Sequence, residues 1–324
     1  MDPRHLLSRL SADAPLSGSA LAAALGVTRA AVWKQVEALR ALGAPIVAEP
    51  GLGYRLAWPI DWLDGQRIAA ELEPAKRARV GSLTVHWQID STSSELLRRA
   101  ASDGGDLLVC CAETQTAGRG RRGRDWRSPL GGNLYFSLLK RFDHGMGALT
   151  GLSLAAGTAV IAALDDCGVT GAGLKWPNDV LAGGRKLAGV LIELGGEFLG
   201  PCHAVIGIGV NLRLPADVVA AIDQPVTDIA ALTGADPPSR NRLAGRLLAR
   251  LIETLDRFAG HGFAAISADY ARADLLRGNA VRVTAADGAR DGIAEGVDSR
   301  GALRVRHGDT IALYDSAEVT VRTR

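Results

Sequence analysis

A short basic segment, Gly118–Arg124, carries the residues best suited to chemistry, with four arginines and three glycines in seven positions. It contains the G-x-G-x-x-G pattern of dinucleotide-binding proteins, but the residues that follow, Asp125–Pro129, are not the helix start which that fingerprint requires. Glycine lets backbone N–H groups approach phosphate oxygens, and arginine offers two parallel donors to one anion. Because these arginines repel one another and meet no acidic residue before Asp125, we predict a loop that closes over a phosphate. The alternative is a solvated basic loop.

A second candidate site begins at the segment Lys175–Asp179, which reads KWPND. The pair Gly183-Gly184 that follows is typical of a hairpin turn. A turn centred there places Lys186 and Asp179 on one face of the hairpin as diagonal neighbours, about 7–8 Å apart. We therefore predict a cation and a carboxylate beside Gly189, whose missing side chain leaves room for a ligand. The alternative is an ordinary surface ion pair.

A third candidate, Asp90–Ser93, follows a predicted strand and begins a predicted helix. Its hydroxyl and N–H groups either cap that helix or face the polar head of a ligand, and the position alone leaves both interpretations open. The sequence contains no G-x-x-x-x-G-K-[ST] and no H-E-x-x-H. A P-loop and a metalloprotease-type zinc site are therefore excluded.

The elements that must position these residues fall into three blocks, and their mixture of bunched strands and helices predicts an α+β fold. Residues 1–61 predict a winged helix-turn-helix, with two helices around the Gly26 turn and two short strands behind them. Residues 62–274 predict a mixed catalytic domain. Residues 275–324 consist of short alternating runs separated by turn residues, which predicts a small β-barrel.

The second helix of the N-terminal block is predicted to recognise DNA. Thr28 is placed to cap it, Arg29 and Lys34 lie on it, and Arg55 lies on the wing. These are the places where a winged helix meets phosphates and base edges. We predict DNA binding through these four residues; the alternative is a module that only packs against the rest of the protein. The buried face of this helix is predicted from the helical spacing of its apolar residues, which are Ala31, Val32, Val36, Leu39 and Leu42.

The composition is that of a globular protein, with 324 residues, 47% of them hydrophobic and 22% charged, and a formal net charge of +2. It excludes a disordered or collagen-like chain, and the charge by itself announces no polyanionic partner. The four cysteines have no C-x-x-C spacing, and no signal peptide or apolar run of about 20 residues is visible. We expect a cytoplasmic protein with reduced thiols and no membrane association.

Four segments, in the same order along the chain, resemble the biotin protein ligase family. They are residues 115–126 (QTAGRGRRGRDW), 175–179 (KWPND), 185–189 (RKLAG) and 207–211 (GIGVN). With the helix-turn-helix in front of them, the likeness extends over essentially the whole chain. The resemblance implies a winged helix, a central α+β domain of the biotin/lipoate-ligase type and a C-terminal SH3-like barrel.

The resemblance also implies an activity with two substrates, biotin and ATP, and with Mg²⁺ as cofactor. Biotin would be activated to biotinyl-5′-adenylate and transferred to a lysine of the biotin carboxyl carrier protein of acetyl-CoA carboxylase. A repressor role would add an operator DNA and a homodimer that forms when the adenylate is bound. The alternatives are a ligase whose DNA-binding head does not regulate, a biotin sensor without catalysis, and a ligase for lipoate or another acyl group.

Residue roles carried over from the family's motifs fall on all three candidate segments. Catalytic roles are implied for Lys186, Arg121, Arg119 and Asp179, and Asp179 is also the candidate ligand of Mg²⁺. The ATP side is implied to include Asn178, Asn211 and Arg322. Ser93 stands where the family often has Asn. Its shorter hydroxyl is expected to weaken or re-route the hydrogen bond to the ureido ring of biotin. The expected contacts of biotin and its adenylate are Ser91, Thr92, Ser93, Gln115, Arg119, Gly120, Arg121, Lys186 and Gly189.

We expect Lys186→Ala to lower the rate of adenylate formation by about 10²–10³, because a preorganised charged donor is worth ~2.7–4 kcal/mol in such a step. The biotin carboxylate and the α-phosphate are both anions, and the ammonium offsets their repulsion. Pyrophosphate release measures the rate, and an unchanged rate would remove Lys186 from the mechanism.

We expect Arg121→Gly to leave a loop that no longer shields the mixed anhydride from water, so that free adenylate escapes. The measurement is the ratio of enzyme-bound to free adenylate after rapid filtration. Retention equal to that of the parent protein would contradict a closing loop.

Overall fold

The architecture is defined by three sheets in the computed structural model, which describes residues 3–102, 104–234, 236–285, 288–315 and 320–323. A two-stranded sheet belongs to the N-terminal unit, a seven-stranded mixed sheet forms the centre, and a five-stranded antiparallel sheet lies at the C-terminal end. The predicted α+β class and the order of winged helix, mixed domain and small β unit are confirmed. The boundaries after residues 61 and 274 stay predictions.

The N-terminal unit is a winged helix-turn-helix whose helix starts follow local capping. Ser17 accepts a hydrogen bond from the N–H of Ala20 at 3.1 Å, and Thr28 caps the next helix in the same way at 3.2 Å. Val32 is buried on the recognition helix, but Ala31 is exposed. The predicted buried face was wrong at Ala31, because one residue turns the helix by about 100°. The elements are α1 (Pro3–Leu7), α2 (Gly18–Leu25), α3 (Arg29–Ala41), β1 (Ile46–Glu49) and β2 (Gly53–Leu56).

The central unit places helices on both faces of the seven-stranded sheet. Its helices are α4 (Gly65–Ala70), α5 (Pro74–Arg77), α6 (Thr92–Ser102), α7 (Leu152–Asp166), α8 (Ala216–Ala220), α9 (Ile229–Leu232), α10 (Arg240–His261) and α11 (Ser267–Ala273). Its strands are β3 (Ser82–Ile89), β4 (Leu108–Gln115), β5 (Asn133–Phe142), β6 (Ala172–Lys175), β7 (Asp179–Ala182), β8 (Arg185–Gly196) and β9 (Cys202–Asn211).

The strand order of the central sheet is β3-β4-β5-β9-β8-β7-β6, with β3 and β4 parallel and the other neighbours antiparallel. The short helices α4, α5, α8 and α9 were not predicted from the sequence. The edge strand β6 was not predicted, because its four residues show no alternation. The helix α7 begins at Leu152, because Gly151 has a φ of +83° that interrupts helical backbone.

The C-terminal sheet consists of five antiparallel strands, in the order β13-β12-β11-β10-β14. Its buried residues, such as Val281 and Leu303, join the same hydrophobic core as α7 and the central sheet. The C-terminal unit is therefore packed against the central unit through a shared hydrophobic core. The strands are β10 (Ala280–Ala285), β11 (Gly288–Val297), β12 (Leu303–His307), β13 (Thr310–Tyr314) and β14 (Thr320–Thr323).

The winged helix is joined to the centre by the segment that follows the arginine loop. Leu130 is fully buried in the hydrophobic core of the N-terminal unit, and its N–H donates to the carbonyl of Leu42 at 2.9 Å. Gly43 has a φ of +79°, and a Cβ there would lie 2.7 Å from Pro129, so this contact requires glycine. The end of the recognition helix therefore rests directly on the chain that leaves the loop.

A buried ion pair fixes the linker, residues 57–64, which connects the winged helix to the central unit. Arg240 and Glu113 lie 2.7 Å apart, with side chains only 5% and 4% exposed. Arg240 also donates to the carbonyls of Asn133 and Asp61, and Glu113 accepts the N–H of Leu63 at 2.7 Å. The pair therefore ties the linker, the start of α10 and the middle of the sheet to one point.

We expect Arg240→Leu to lower the free energy of unfolding by about 3–5 kcal/mol, because it leaves the Glu113 carboxylate buried without its cation. Urea unfolding followed by circular dichroism measures the change. The matched control is Arg79→Leu, since the Arg79–Asp256 pair is 44% and 47% exposed and such pairs are worth about 0–1 kcal/mol. Equal losses in the two variants would contradict the role assigned to burial.

Candidate active site and DNA-binding surface

One cavity on the central sheet brings the three candidate segments together. It is closed on one side by the turn between β3 and α6, on another by the end of β4, and it is floored by β8 and β9. Gly189 and Asn178 line it as well. All the residues that the family resemblance assigned to biotin lie on its wall, namely Ser91, Thr92, Ser93, Gln115, Arg119, Gly120, Arg121 and Lys186.

The turn at the start of α6 forms a buried hydroxyl cluster. Thr92 donates its N–H to Gln115 Oε1 at 2.9 Å, and its hydroxyl lies 2.7 Å from that of Ser137 on β5. The Ser93 hydroxyl lies 3.0 Å from the same Ser137 oxygen. Sequence reasoning missed Ser137, since a serine inside a buried strand carries no local signal. Ser93 is therefore turned toward the sheet, and a Cβ at Gly207 would lie 2.5 Å from its hydroxyl oxygen.

The arginine loop folds back on itself as a small hairpin over the cavity. The N–H of Gly120 donates to the carbonyl of Arg124 at 2.7 Å, and the N–H of Trp126 donates to the carbonyl of Gly118 at 2.9 Å. Arg122 has a φ of +58°, the left-handed backbone that makes this reversal possible. The loop is thus a unit with its own hydrogen bonds.

Two arginines of the loop reach the body of the protein. Arg121 donates to the amide oxygen of Asn178 at 3.1 Å, and Arg119 pairs with Glu193 of β8 at 2.8 Å. The sequence indicated that the loop arginines have no acidic partner before Asp125. The structure supplies one from a distant strand, because Glu193 of β8 pairs with Arg119. Burial lowers the pKa of the Arg121 guanidinium, and the charge of Arg122 lowers it further. An anion in the cavity would offset that cost.

Lys186 and Asp179 meet as the hairpin geometry predicts. Lys186 pairs with Leu181 across β7 and β8, and its Nζ lies 2.7 Å from Asp179 Oδ1. The side chains are only 15% and 22% exposed, so this is not an ordinary surface ion pair. Asp179 Oδ1 is buried and has no partner with hydrogen-bond geometry in the described part of the chain. The close contact is electrostatic, and the oxygen can still accept a hydrogen bond.

Trp126 is a wall of the cavity that sequence reasoning did not assign. Its indole lies against β9, where a Cβ on Gly209 would come within 2.3 Å of the ring, and Lys186 Nζ lies 5.5 Å from the ring centroid. Gly189 was expected to leave room for a ligand, but the atoms nearest to its missing Cβ belong to Lys186 and Trp126, both at 3.2 Å. The Trp126 Nε1 is buried and has no acceptor among the described residues.

Of the residues expected on the ATP side, Asn178 lines the cavity and Asn211 does not. Asn178 also donates to the carbonyl of Val190 at 2.9 Å. The side-chain amide of Asn211 is buried and donates to the carbonyl of Thr227 at 3.1 Å. The structure therefore gives Asn211 a supporting position at the end of β9. The side chain of Arg322 lies outside the part of the chain that the structure describes.

A resident metal site is not formed by protein groups alone. Within residues 3–315, apart from the gaps named above, no cluster of three histidine, cysteine or acidic side chains could hold an ion. Asp179 is the candidate ligand, and Mg²⁺ commonly binds through one or two carboxylates together with substrate phosphates. The arrangement therefore fits Mg²⁺ only as a partner of a bound nucleotide.

The recognition helix presents an exposed face. Thr28, Arg29 and Lys34 are exposed on it, and Trp33 beside them is 60% exposed. Arg55 is less available than predicted, since its guanidinium pairs with Glu49 and donates to the carbonyl of Leu56 at 3.1 Å. The helix therefore exposes the residues that were predicted to contact DNA, whereas the guanidinium of Arg55 is bound to other residues of the wing.

Comparisons with known proteins agree with this arrangement. Residues 87–211 match the biotin/lipoate A/B protein ligase family, and residues 4–55 match a helix-turn-helix domain. The chain is 35% identical to the bifunctional ligase/repressor BirA of Escherichia coli strain K12, over 99% of this chain and 97% of that protein. It is 38% identical to the biotin–[acetyl-CoA-carboxylase] ligase of Mycobacterium tuberculosis, over 73% of this chain and 88% of that one.

Among solved structures, the biotin protein ligase of Aquifex aeolicus in complex with biotin and ATP matches with a TM-score of 0.63 and 27% identity, over 75% of this chain and all of that one. Fold and site define a ligase of the biotin/lipoate type that carries a DNA-binding domain. The chain belongs to the biotin protein ligase family. None of its described helices has the length and apolar character that crossing a membrane requires.

Proposed function

We propose that this protein activates biotin with ATP and transfers it to a lysine of the biotin carboxyl carrier protein of acetyl-CoA carboxylase. The observation that carries the proposal is the cavity in which the Lys186–Asp179 pair and the arginine loop face a buried hydroxyl cluster. The wall of this cavity combines three cations, Arg119, Arg121 and Lys186, with neutral hydroxyl and amide groups. This combination suits a molecule with a polar neutral head and a carboxylate tail, as biotin has.

In the first step a carboxylate oxygen of biotin attacks the α-phosphorus of ATP, and pyrophosphate leaves. We assign charge neutralisation at the reacting oxygens to Lys186 and Arg121. Fixed charges in a half-buried site stabilise such a step without reorganisation, at ~2.7–4 kcal/mol for one donor. Mg²⁺, held by Asp179 together with the phosphates, would supply further neutralisation, and Asn178 would orient the nucleotide.

In the second step the amine of the carrier lysine attacks the acyl carbon, the bond to the phosphate oxygen breaks, and AMP leaves. We assign the attacking amine's proton to Asp179, whose buried Oδ1 makes an ion pair with Lys186 but no hydrogen bond in the described chain. Trp126 and the arginine loop would exclude water from the mixed anhydride between the two steps. Thr92, Ser93 and Gln115 would hold the biotin head.

We propose a second role as an operator-binding repressor of biotin synthesis genes in the cytoplasm. Thr28, Arg29 and Lys34 would meet the DNA, and a palindromic operator would need two copies of the chain. Val190 is still bound on that side by Asn178, but beyond Val190, β8 pairs only with β9 among the described residues, so its other edge is open. Leu194 is 42% exposed on this stretch. We place the adenylate-dependent homodimer contact at this edge, because an open strand edge readily pairs with another.

The test incubates the protein with ATP, a biotin carboxyl carrier domain and either labelled biotin or labelled lipoate. We expect label on the carrier lysine from biotin alone, with Lys186→Ala as the inactive control. Transfer of lipoate would replace biotin as the substrate, and binding of biotin without transfer would leave only a sensor.

The repressor role is tested by a gel shift with DNA from upstream of the host's biotin genes, with and without adenylate. We expect tighter binding with adenylate, and Arg29→Ala to weaken it. Equal binding in all cases would leave a DNA-binding head without regulation.

A further inference from the structure

We infer that Glu193 is a positioning residue for the ligase reaction: its ion pair with Arg119 holds the arginine loop closed over the adenylate. The inference rests on the proposed adenylate site. It gives different roles to two arginines of the loop. Arg119 would hold the loop in place through Glu193, and Arg121 would contact the adenylate.

The pair connects the loop that lies over the cavity with a strand that forms its floor. Arg119 leaves the end of β4, whereas Glu193 lies 74 positions further along, on β8. Alternate residues of a strand share one face, so Glu193 lies next to Leu191, which lines the cavity. The contact of 2.8 Å therefore joins the loop to a strand of the floor rather than linking neighbours within one element.

Because the loop is internally hydrogen-bonded, fixing one of its residues fixes the others. The bond from Gly120 to Arg124 and the bond from Trp126 to Gly118 close it into a hairpin. Arg121 lies two residues from Arg119 and meets Asn178 at 3.1 Å. Holding Arg119 on Glu193 thus also holds Arg121 over the place where the adenylate would lie.

The charges favour the same division. Glu193 compensates the charge of Arg119, so this guanidinium has less to gain from a bound phosphate. Arg121 donates to a neutral amide, and burial together with the charge of Arg122 lowers the pKa of its guanidinium, a change that the charge of Asp179 offsets only in part. The Arg119–Glu193 pair is partly exposed, at 42% and 22%, and exposed pairs are weak. A weak contact suits a loop that must open for each turnover.

The experiment measures how fast each protein releases preformed biotinyl-5′-adenylate, with adenylate formation followed separately by pyrophosphate release. We expect Glu193→Gln to release adenylate about 5-fold faster, a change of about 1 kcal/mol, while the formation rate stays within about 2-fold. The exchanged pair Arg119→Glu with Glu193→Arg is expected to restore slow release, whereas Arg119→Glu alone releases faster still. The matched control is Glu197→Gln, on the same hairpin, whose carboxylate contacts no loop arginine in the described structure.

Release from Glu193→Gln as slow as from the parent would overturn the inference, as would equal acceleration in the Glu197 control. Failure of the exchanged pair to restore retention would also overturn it, because Arg119 would then act on the ligand itself. If instead the parent protein forms no adenylate at all, the proposed function fails. The two failures are therefore distinguishable.

Discussion

The reaction proposed for this protein must bring two anions into contact inside a half-buried cavity. The other groups of the site are arranged so that cations offset the repulsion between these anions. Contacts within the protein itself position the cations. Lys186 is held by Asp179 at 2.7 Å, and Arg121 is held by Asn178 at 3.1 Å. Charges fixed in this way do not have to reorganise as the transition state forms, which is the main source of electrostatic catalysis.

Fixing these groups places strict demands on the backbone around them. The indole of Trp126 can lie flat against β9 only because Gly209 has no Cβ, and the ring in turn covers the side of Lys186. The Ser93 hydroxyl packs against Gly207 in the same strand. Two glycines of one short motif therefore serve close packing of side chains over the sheet rather than flexibility.

The arginine loop is continuous with the DNA-binding unit. Trp126 lies in the cavity and Leu130, four residues later, lies in the core of the winged helix. The buried Arg240–Glu113 pair holds the linker beside them. Any change in the loop therefore acts on a segment that is packed against the end of the recognition helix. This continuity gives a physical basis for a protein in which a ligase site and a DNA-binding head share one chain.

The sequence by itself determined the local features. The caps at Ser17 and Thr28, the hairpin that faces Lys186 toward Asp179, and the loop rich in arginine and glycine all depend on residues within about ten positions of one another. Backbone propensity and side-chain period are sufficient at that range. The family motifs added the assignment of the hydroxyl turn to the same site.

Only the tertiary structure decided which distant residues meet. The order β3-β4-β5-β9-β8-β7-β6 brings Ser137 beneath the hydroxyl turn and Glu193 to Arg119. It also leaves Asn211 at the end of β9 as a support for the backbone. No local pattern encodes these contacts, because they depend on how the strands are ordered and registered across the whole sheet, and that is fixed by burial of the shared core.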